Sequence, residues 1–127
     1  MTDFEDGATV PIIRHEDAHS WQPNPGVEAL DFVRGEIGAT SLLTGVATID
    51  PGAGLVLHTH DCEESVTVIE GEATCEIEGE LFQLRPYETS FVPPGVAHRF
   101  LNRSERPVKI LYVYPSTRVA RVPVERG

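Results

Sequence analysis

Turn-forming residues punctuate this chain so closely that no stretch remains for a helix of ordinary length, and that constrains the fold before anything else does. Asp50-Pro51-Gly52-Ala53-Gly54, Glu70-Gly71-Glu72, Glu78-Gly79-Glu80 and Pro93-Pro94-Gly95 each combine residues that restrict φ with residues that free it. The short runs between them are rich in Val, Ile, Thr and Leu, and none repeats apolar residues at helical spacing. The pattern predicts strands at 26–34, 41–49, 54–60, 64–70, 73–78, 81–84, 89–92, 97–102 and 108–114. Strands this short and this regular belong to an all-β sandwich or barrel.

At 127 residues the chain fits one domain with a real core, and a two-domain enzyme is excluded. Residues 1–25, with Pro11, Pro23, Pro25 and Asn24, read as an N-terminal arm over the barrel or a strand exchanged in a dimer. Residues 26–115 form the barrel. In residues 116–127, Arg118, Arg121 and Arg126 alternate with Val119, Val122 and Val124, which suits a tail or an edge strand. Those arginines read as surface charges or partners for the chain's own carboxylates. A net charge of −10 excludes nucleic acid and acidic lipid surfaces as partners and is accounted for by solubility. No apolar run approaches the roughly 20 residues that span a bilayer, and the start Met1-Thr2-Asp3-Phe4-Glu5-Asp6 is acidic where a secretory signal is basic. A cytoplasmic location is expected. Cys62 and Cys75 are too few for a disulfide framework and are expected as reduced thiols.

His58 and His60 lie two apart in a strand-like run and so share a face, and Glu64 follows the break at Asp61-Cys62-Glu63. A barrel can add a fourth donor from a strand distant in sequence, and His98 lies in one, with Phe100 and Asn102 on its parity. Imidazole and carboxylate together suit Mn, Fe, Co, Ni, Cu or Zn. Taken alone, a pair of histidines two apart could equally be core imidazoles bonded to backbone, or surface residues.

Two short motifs narrow the choice. The first runs Gly52, five residues, His58, one residue, His60, three residues, Glu64, six residues, Gly71; the second runs Pro93-Pro94-Gly95, two residues, His98, three residues, Asn102. In both, and in the spacing between them, the chain resembles the cupin superfamily, particularly its compact single-domain bacterial members. The second motif lacks its opening glycine: Tyr87 stands there, followed by the acid Glu88, so the turn after Pro86 has no glycine for a positive φ. The resemblance implies a single jelly-roll barrel (double-stranded β-helix) of six to eight strands. It implies His58, His60, Glu64 and His98 as ligands of one divalent transition metal ion: Mn, Fe, Ni, Zn, Co or Cu. Four such ligands leave one or two positions of a six-coordinate ion open to water or substrate. Exposed sheet edges add the expectation of a homodimer.

The function expected is that of a metal-dependent cupin enzyme acting on a small organic molecule, of dioxygenase, isomerase or lyase type. The alternative is a non-catalytic small-molecule binding or sensory module; a storage or purely structural role would not require all four ligands. Tyr112 and Tyr114 are the candidate catalytic residues, as phenolic donors facing the cavity, against the alternative of strand packing. Parity places Val56, Val66, Val68 and Phe100 with the ligands, which favours an apolar or aromatic substrate. Glu63 lies off that parity and reads as solvated. Cys75 could approach the metal or serve as a small buried hydrophobe. His15, His19 and Trp21 could cap the pocket, with Trp21 read as an anchor, and Arg34 and Gln83 could orient an anionic or carbonyl substrate. No phosphate-cradling glycine loop, nucleophile elbow, zinc-ribbon cysteine set or DNA-binding helix pair is present.

Overall fold

Successive strand residues point to opposite faces, so the alternation of apolar and polar residues decides which side chains enter the core. A computed structural model of the chain describes residues 2–3 and 9–125. The strands are β1 (Thr2–Asp3), β2 (Thr9–Val10), β3 (His19–Asn24), β4 (Val27–Asp31), β5 (Leu43–Ile49), β6 (His58–Thr59), β7 (Glu64–Glu70), β8 (Ala73–Ile77), β9 (Glu80–Leu84), β10 (Thr89–Val92), β11 (His98–Leu101), β12 (Val108–Tyr114) and β13 (Val122–Pro123). Two 3₁₀ turns, His15–Asp17 and Gly35–Ile37, are the helical elements among the described residues, and no helix there is long and apolar enough to cross a membrane.

A six-stranded sheet in the order β10-β7-β12-β5-β4-β3 faces a five-stranded sheet in the order β13-β6-β11-β8-β9, and all pairings are antiparallel. This is the jelly roll that the resemblance implies, with more strands than the six to eight expected. Inward positions alternate strictly along β7 (Glu64, Val66, Val68) and β12 (Val108, Ile110, Tyr112, Tyr114). From both sheets Ile49, Val66, Val68, Phe100, Val108 and Ile110 meet in one core, each contributing about 1.5–3 kcal/mol by leaving water. Asn102, fully buried, ties the β11–β12 connection to β5 by donating from Nδ2 to the carbonyls of Ile49 (2.9 Å) and Arg106 (2.7 Å) while Oδ1 accepts from the Ser104 N–H (2.9 Å).

The ladders at 64–70, 89–92 and 108–114 fall where the sequence pattern puts them, and three expectations shift. The run at 54–60 is a strand only at His58–Thr59, preceded by a single bridge from Gly54 to Leu101, so Val56 turns outward and is 45% exposed instead of lining the interior. The run at 26–34 ends at Asp31, after which Phe32 and Val33 still exchange backbone hydrogen bonds with Thr44. Residues 19–24 form the outermost strand of the larger sheet despite Pro23, because the pairing with β4 is interrupted between Trp21 and Asn24, where a missing N–H is tolerated.

The turn from β9 to β10 supplies a further correction. Arg85-Pro86-Tyr87-Glu88 closes with Glu88 N–H donating to the Arg85 carbonyl (3.0 Å), and Tyr87 itself takes the positive φ, at 72°, that the position requires. This matches a type II turn, with proline second and a left-handed residue third. The tyrosine ring is 85% exposed and packs little, so nothing offsets the roughly 1–2 kcal/mol of left-handed strain. Replacing Tyr87 by Gly removes that strain and adds back about 0.4–1 kcal/mol of chain entropy. Calorimetry is expected to show Tyr87→Gly melting a few degrees above the parent and the β-branched Tyr87→Val below it; a glycine variant that melts lower contradicts this account.

Candidate metal centre

β6 and β11 lie side by side in the smaller sheet, and their register sets His98 directly opposite His58. His60 follows one residue after β6, and Glu64 opens β7 in the other sheet, so the two sheets meet at these four side chains. All four are buried, none more than 5% exposed. The ligand atoms of the three histidines lie within 4.8 Å of one another. Their rings are 4.4 to 5.0 Å apart between centroids. Glu64 Oε1 stands 2.8 Å from His98 Nε2 and 3.7 Å from His60 Nε2.

Each imidazole is held from behind. His58 Nδ1 donates to the Val56 carbonyl (2.7 Å), His98 Nδ1 to the Val96 carbonyl (2.8 Å) and His60 Nδ1 to the Ala120 carbonyl (2.8 Å). A carbonyl oxygen can only accept, so each Nδ1 must carry its hydrogen and each Nε2 is left for the common centre. Two of these acceptors are local, two residues back along the same chain segment. The third comes from a segment sixty residues away that also carries β13.

Burial, the largest influence, pulls the His58 pKa down to about 4 and the His60 pKa below its ordinary value, outweighing the carbonyl hydrogen bonds that act the other way. Burial also pushes against ionising Glu64. Hydrogen bonds from His98 and Tyr114, with the neighbouring imidazoles, more than compensate and hold its carboxyl below the ordinary range. His58 and His60 are therefore neutral at neutral pH while Glu64 is ionised. An imidazole nitrogen and a carboxylate oxygen 2.8 Å apart in a buried site need a positive charge between them, either a proton or a cation. Imidazole nitrogens and one carboxylate oxygen converging in this way fit a divalent transition metal ion.

The four residues line a cavity of about 520 Å³, together with Leu43, Ala47, Leu55, Val66, Phe100 and Ile110. His19 and Trp21 of β3 line it, as do Thr117, Val119 and Arg121 of the C-terminal segment. Both candidate tyrosines face it. The Tyr114 hydroxyl lies 3.2 Å from His60 Nε2, and the Tyr112 hydroxyl donates to Asp31 Oδ1. That second bond crosses β5 at Gly45, which pairs with both Tyr112 and Asp31; a methyl group there would collide with the tyrosine hydroxyl and the Leu30 carbonyl.

Other residues singled out in the sequence divide between the cavity and elsewhere. Arg34 lines it, its guanidinium donating to the carbonyls of Asp17, Phe32 and Asp31. Gln83 is exposed and bonded to Thr74 on another part of the smaller sheet, so it cannot orient a substrate in the cavity. Cys75 is a core residue whose thiol burial raises to about 11, and Val68 packs in the same core. Glu63 and His15 are exposed. Sequence reasoning did not find Asp31, Ala120 or the cavity position of Arg121. Each acts across strands or from the chain's far end, where no periodic signal marks it.

A family model described as "Cupin domain" matches residues 45–114. Among curated proteins, "Polyketide synthase CurC" of Streptomyces cyaneus is 34% identical over 77 residues, 60% of this chain and 50% of that one. "Tetracenomycin polyketide synthase protein TcmJ" of Streptomyces glaucescens is 31% identical over 77 residues, 60% of this chain and 52% of that one. The chain thus spans about half the length of the curated relatives it matches. In fold it is similar to the polyketide cyclase RemF from Streptomyces resistomycificus, with a TM-score of 0.81 at 17% identity over 94% of this chain and 88% of that one.

The depressed pKa of His58 links stability to pH. Between its folded value of about 4 and its ordinary value of 6.5, the unfolded chain binds a proton that the folded protein does not, so stability falls as pH drops through that window. The loss from His58 alone is on the order of 3 kcal/mol. Urea unfolding of chelator-treated protein near pH 7 and near pH 4 is expected to show a markedly smaller acid loss in His58→Gln than in the parent. Equal losses contradict the assignment of a neutral, desolvated imidazole.

Proposed function

This chain belongs to the cupin domain family, and from that premise we propose that it is a metal-dependent enzyme acting on a small, largely apolar molecule rich in carbonyl or phenolic oxygen, of polyketide type. The observation that carries the reading is the convergence of three Nε2 atoms and the Glu64 carboxylate in a cavity whose walls are otherwise mainly apolar. Similarity to CurC and TcmJ, and the fold shared with RemF, support the substrate class.

His58, His60, Glu64 and His98 would hold one ion of Mn, Fe, Co, Ni, Cu or Zn. When bound there, such an ion supplies a Lewis acid that polarises a carbonyl or phenolic oxygen. The imidazoles serve as ligands and not as proton carriers, because their Nδ1 hydrogens are committed to backbone carbonyls. Burial, reinforced by the charge of Glu64, pushes the Tyr114 phenol far above its ordinary pKa, so its hydroxyl keeps its proton and can donate it toward His60 Nε2, 3.2 Å away. Burial and the Asp31 charge do the same for Tyr112. Asp31, which accepts from that hydroxyl on the cavity wall, would take a proton from an acidic C–H flanked by carbonyls. This arrangement favours enolisation followed by ring closure or isomerisation.

Elemental analysis of the purified protein and turnover assays with 1,3-diketones and linear polyketones test the reading. The parent is expected to carry one transition metal per chain and to convert at least one such substrate, whereas His60→Ala loses both metal and turnover. Tyr114→Phe is expected to keep the metal and to lower kcat by about 10- to 100-fold, the usual effect of removing a group that orients a ligand. Tight binding without conversion, whichever ion is supplied, overturns the enzymatic reading in favour of a binding module.

A further inference from the structure

Of the three arginines lining the cavity, two meet carboxylates and one does not. Arg34 meets Glu36 (3.4 Å), Arg99 meets Glu76 (2.8 Å), Glu64 meets His98 (2.8 Å), and Asp31 accepts from Tyr112. Arg121 has no carboxylate within ion-pair distance among the described residues, although the chain carries a net charge of −10. Of the two readings of the tail arginines, surface charges or partners for the chain's own carboxylates, the second does not apply to this one, which is partly exposed. Instead its guanidinium carbon sits 5.5 Å from the centre of the Trp21 ring, which steadies the cation against an aromatic face without neutralising it. Arg121 is half-buried and lines the cavity.

A cation left unpaired and partly shielded from water attracts an anion more strongly than one on the open surface. The planar fork of a guanidinium matches a carboxylate through two parallel hydrogen bonds. We propose that Arg121 is the anion-recognition residue of this cavity, and that its ligands carry one carboxylate on a flat, otherwise apolar body, with the carboxylate on Arg121 and the body directed along the apolar walls toward the histidines. The inference rests on the cavity being the substrate site, and it narrows the substrate class to acids. Phosphorylated ligands fit less well, since Arg34 and Arg99 on these walls already face carboxylates and one guanidinium is left, with the Asp31 carboxylate on the same walls.

Isothermal titration of cinnamate and of its neutral isostere cinnamamide, with metal-loaded and with chelator-treated protein, tests this. Trp21 is the sole tryptophan, so its single indole N–H resonance reports whether the ligand arrives beside Arg121. Cinnamate is expected to bind at least about tenfold more tightly than the amide in both preparations, as one charge-assisted contact implies, and to shift the indole resonance. Arg121→Met is expected to abolish the preference and Arg121→Lys to retain part of it. A preference that survives Arg121→Met, an equal affinity for acid and amide, or no binding of cinnamate overturns the proposal. A preference that appears only with metal and persists in Arg121→Met assigns the anion to the ion instead. The chelator-treated arm also separates this inference from the metal reading: acid selectivity there stands even if no ion ever binds.

Discussion

Everything chemical in this structure depends on three hydrogen bonds from imidazole Nδ1 atoms to backbone carbonyls. Without them each ring could rotate or exchange tautomers, and the nitrogens facing the cavity could as easily carry hydrogens as lone pairs. With them, the backbone of a rigid β-sandwich dictates which nitrogen is free and where it points. Val56 and Val96 perform this for His58 and His98 within their own segments. Ala120 performs it for His60 from the C-terminal segment, so the last part of the chain is as much a component of the centre as the strands bearing the ligands.

That dependence joins the centre to the shape of the cavity. The segment that supplies the Ala120 carbonyl also places Val119 and Arg121 on the cavity wall and pairs through β13 with His58–Thr59. Beside it, β3 contributes Trp21, and the contact between Trp21 and Arg121 joins β3 to this segment at the cavity. Farther in, the absence of a side chain at Gly45 lets Tyr112 reach across β5 to Asp31 and sets a polar pair into a wall that is otherwise mainly apolar. Placement of the donors and the lining of the cavity both follow from the packing of the same few strands.

Much of this was legible in the sequence because it is local. The period-2 pattern at 64–70 and 108–114 is strong, and Glu64, Val66, Tyr112 and Tyr114 fall on the inward face as parity requires. His58 and His98 came together because β6 and β11 are neighbours in register, which parity alone does not state but the spacing of the two motifs suggests. What was not legible is set at long range or by departure from regularity. Val56 faces outward because β6 is only two residues long, and Pro23 concealed an edge strand that tolerates it at an irregular pairing. Tyr87 occupies a conformation that its identity argues against, and the backbone holds it there. Asp31, Ala120 and Arg121 owe their positions to segments that meet only in the folded chain.

The most direct test of the account is X-ray absorption spectroscopy of protein loaded with one equivalent of Zn²⁺. The account predicts a first shell of three imidazole nitrogens at about 2.0–2.1 Å with at least one oxygen donor, and the loss of one imidazole from that shell in His58→Gln. A shell of oxygen donors alone, or a spectrum unchanged by removing His58, would contradict it.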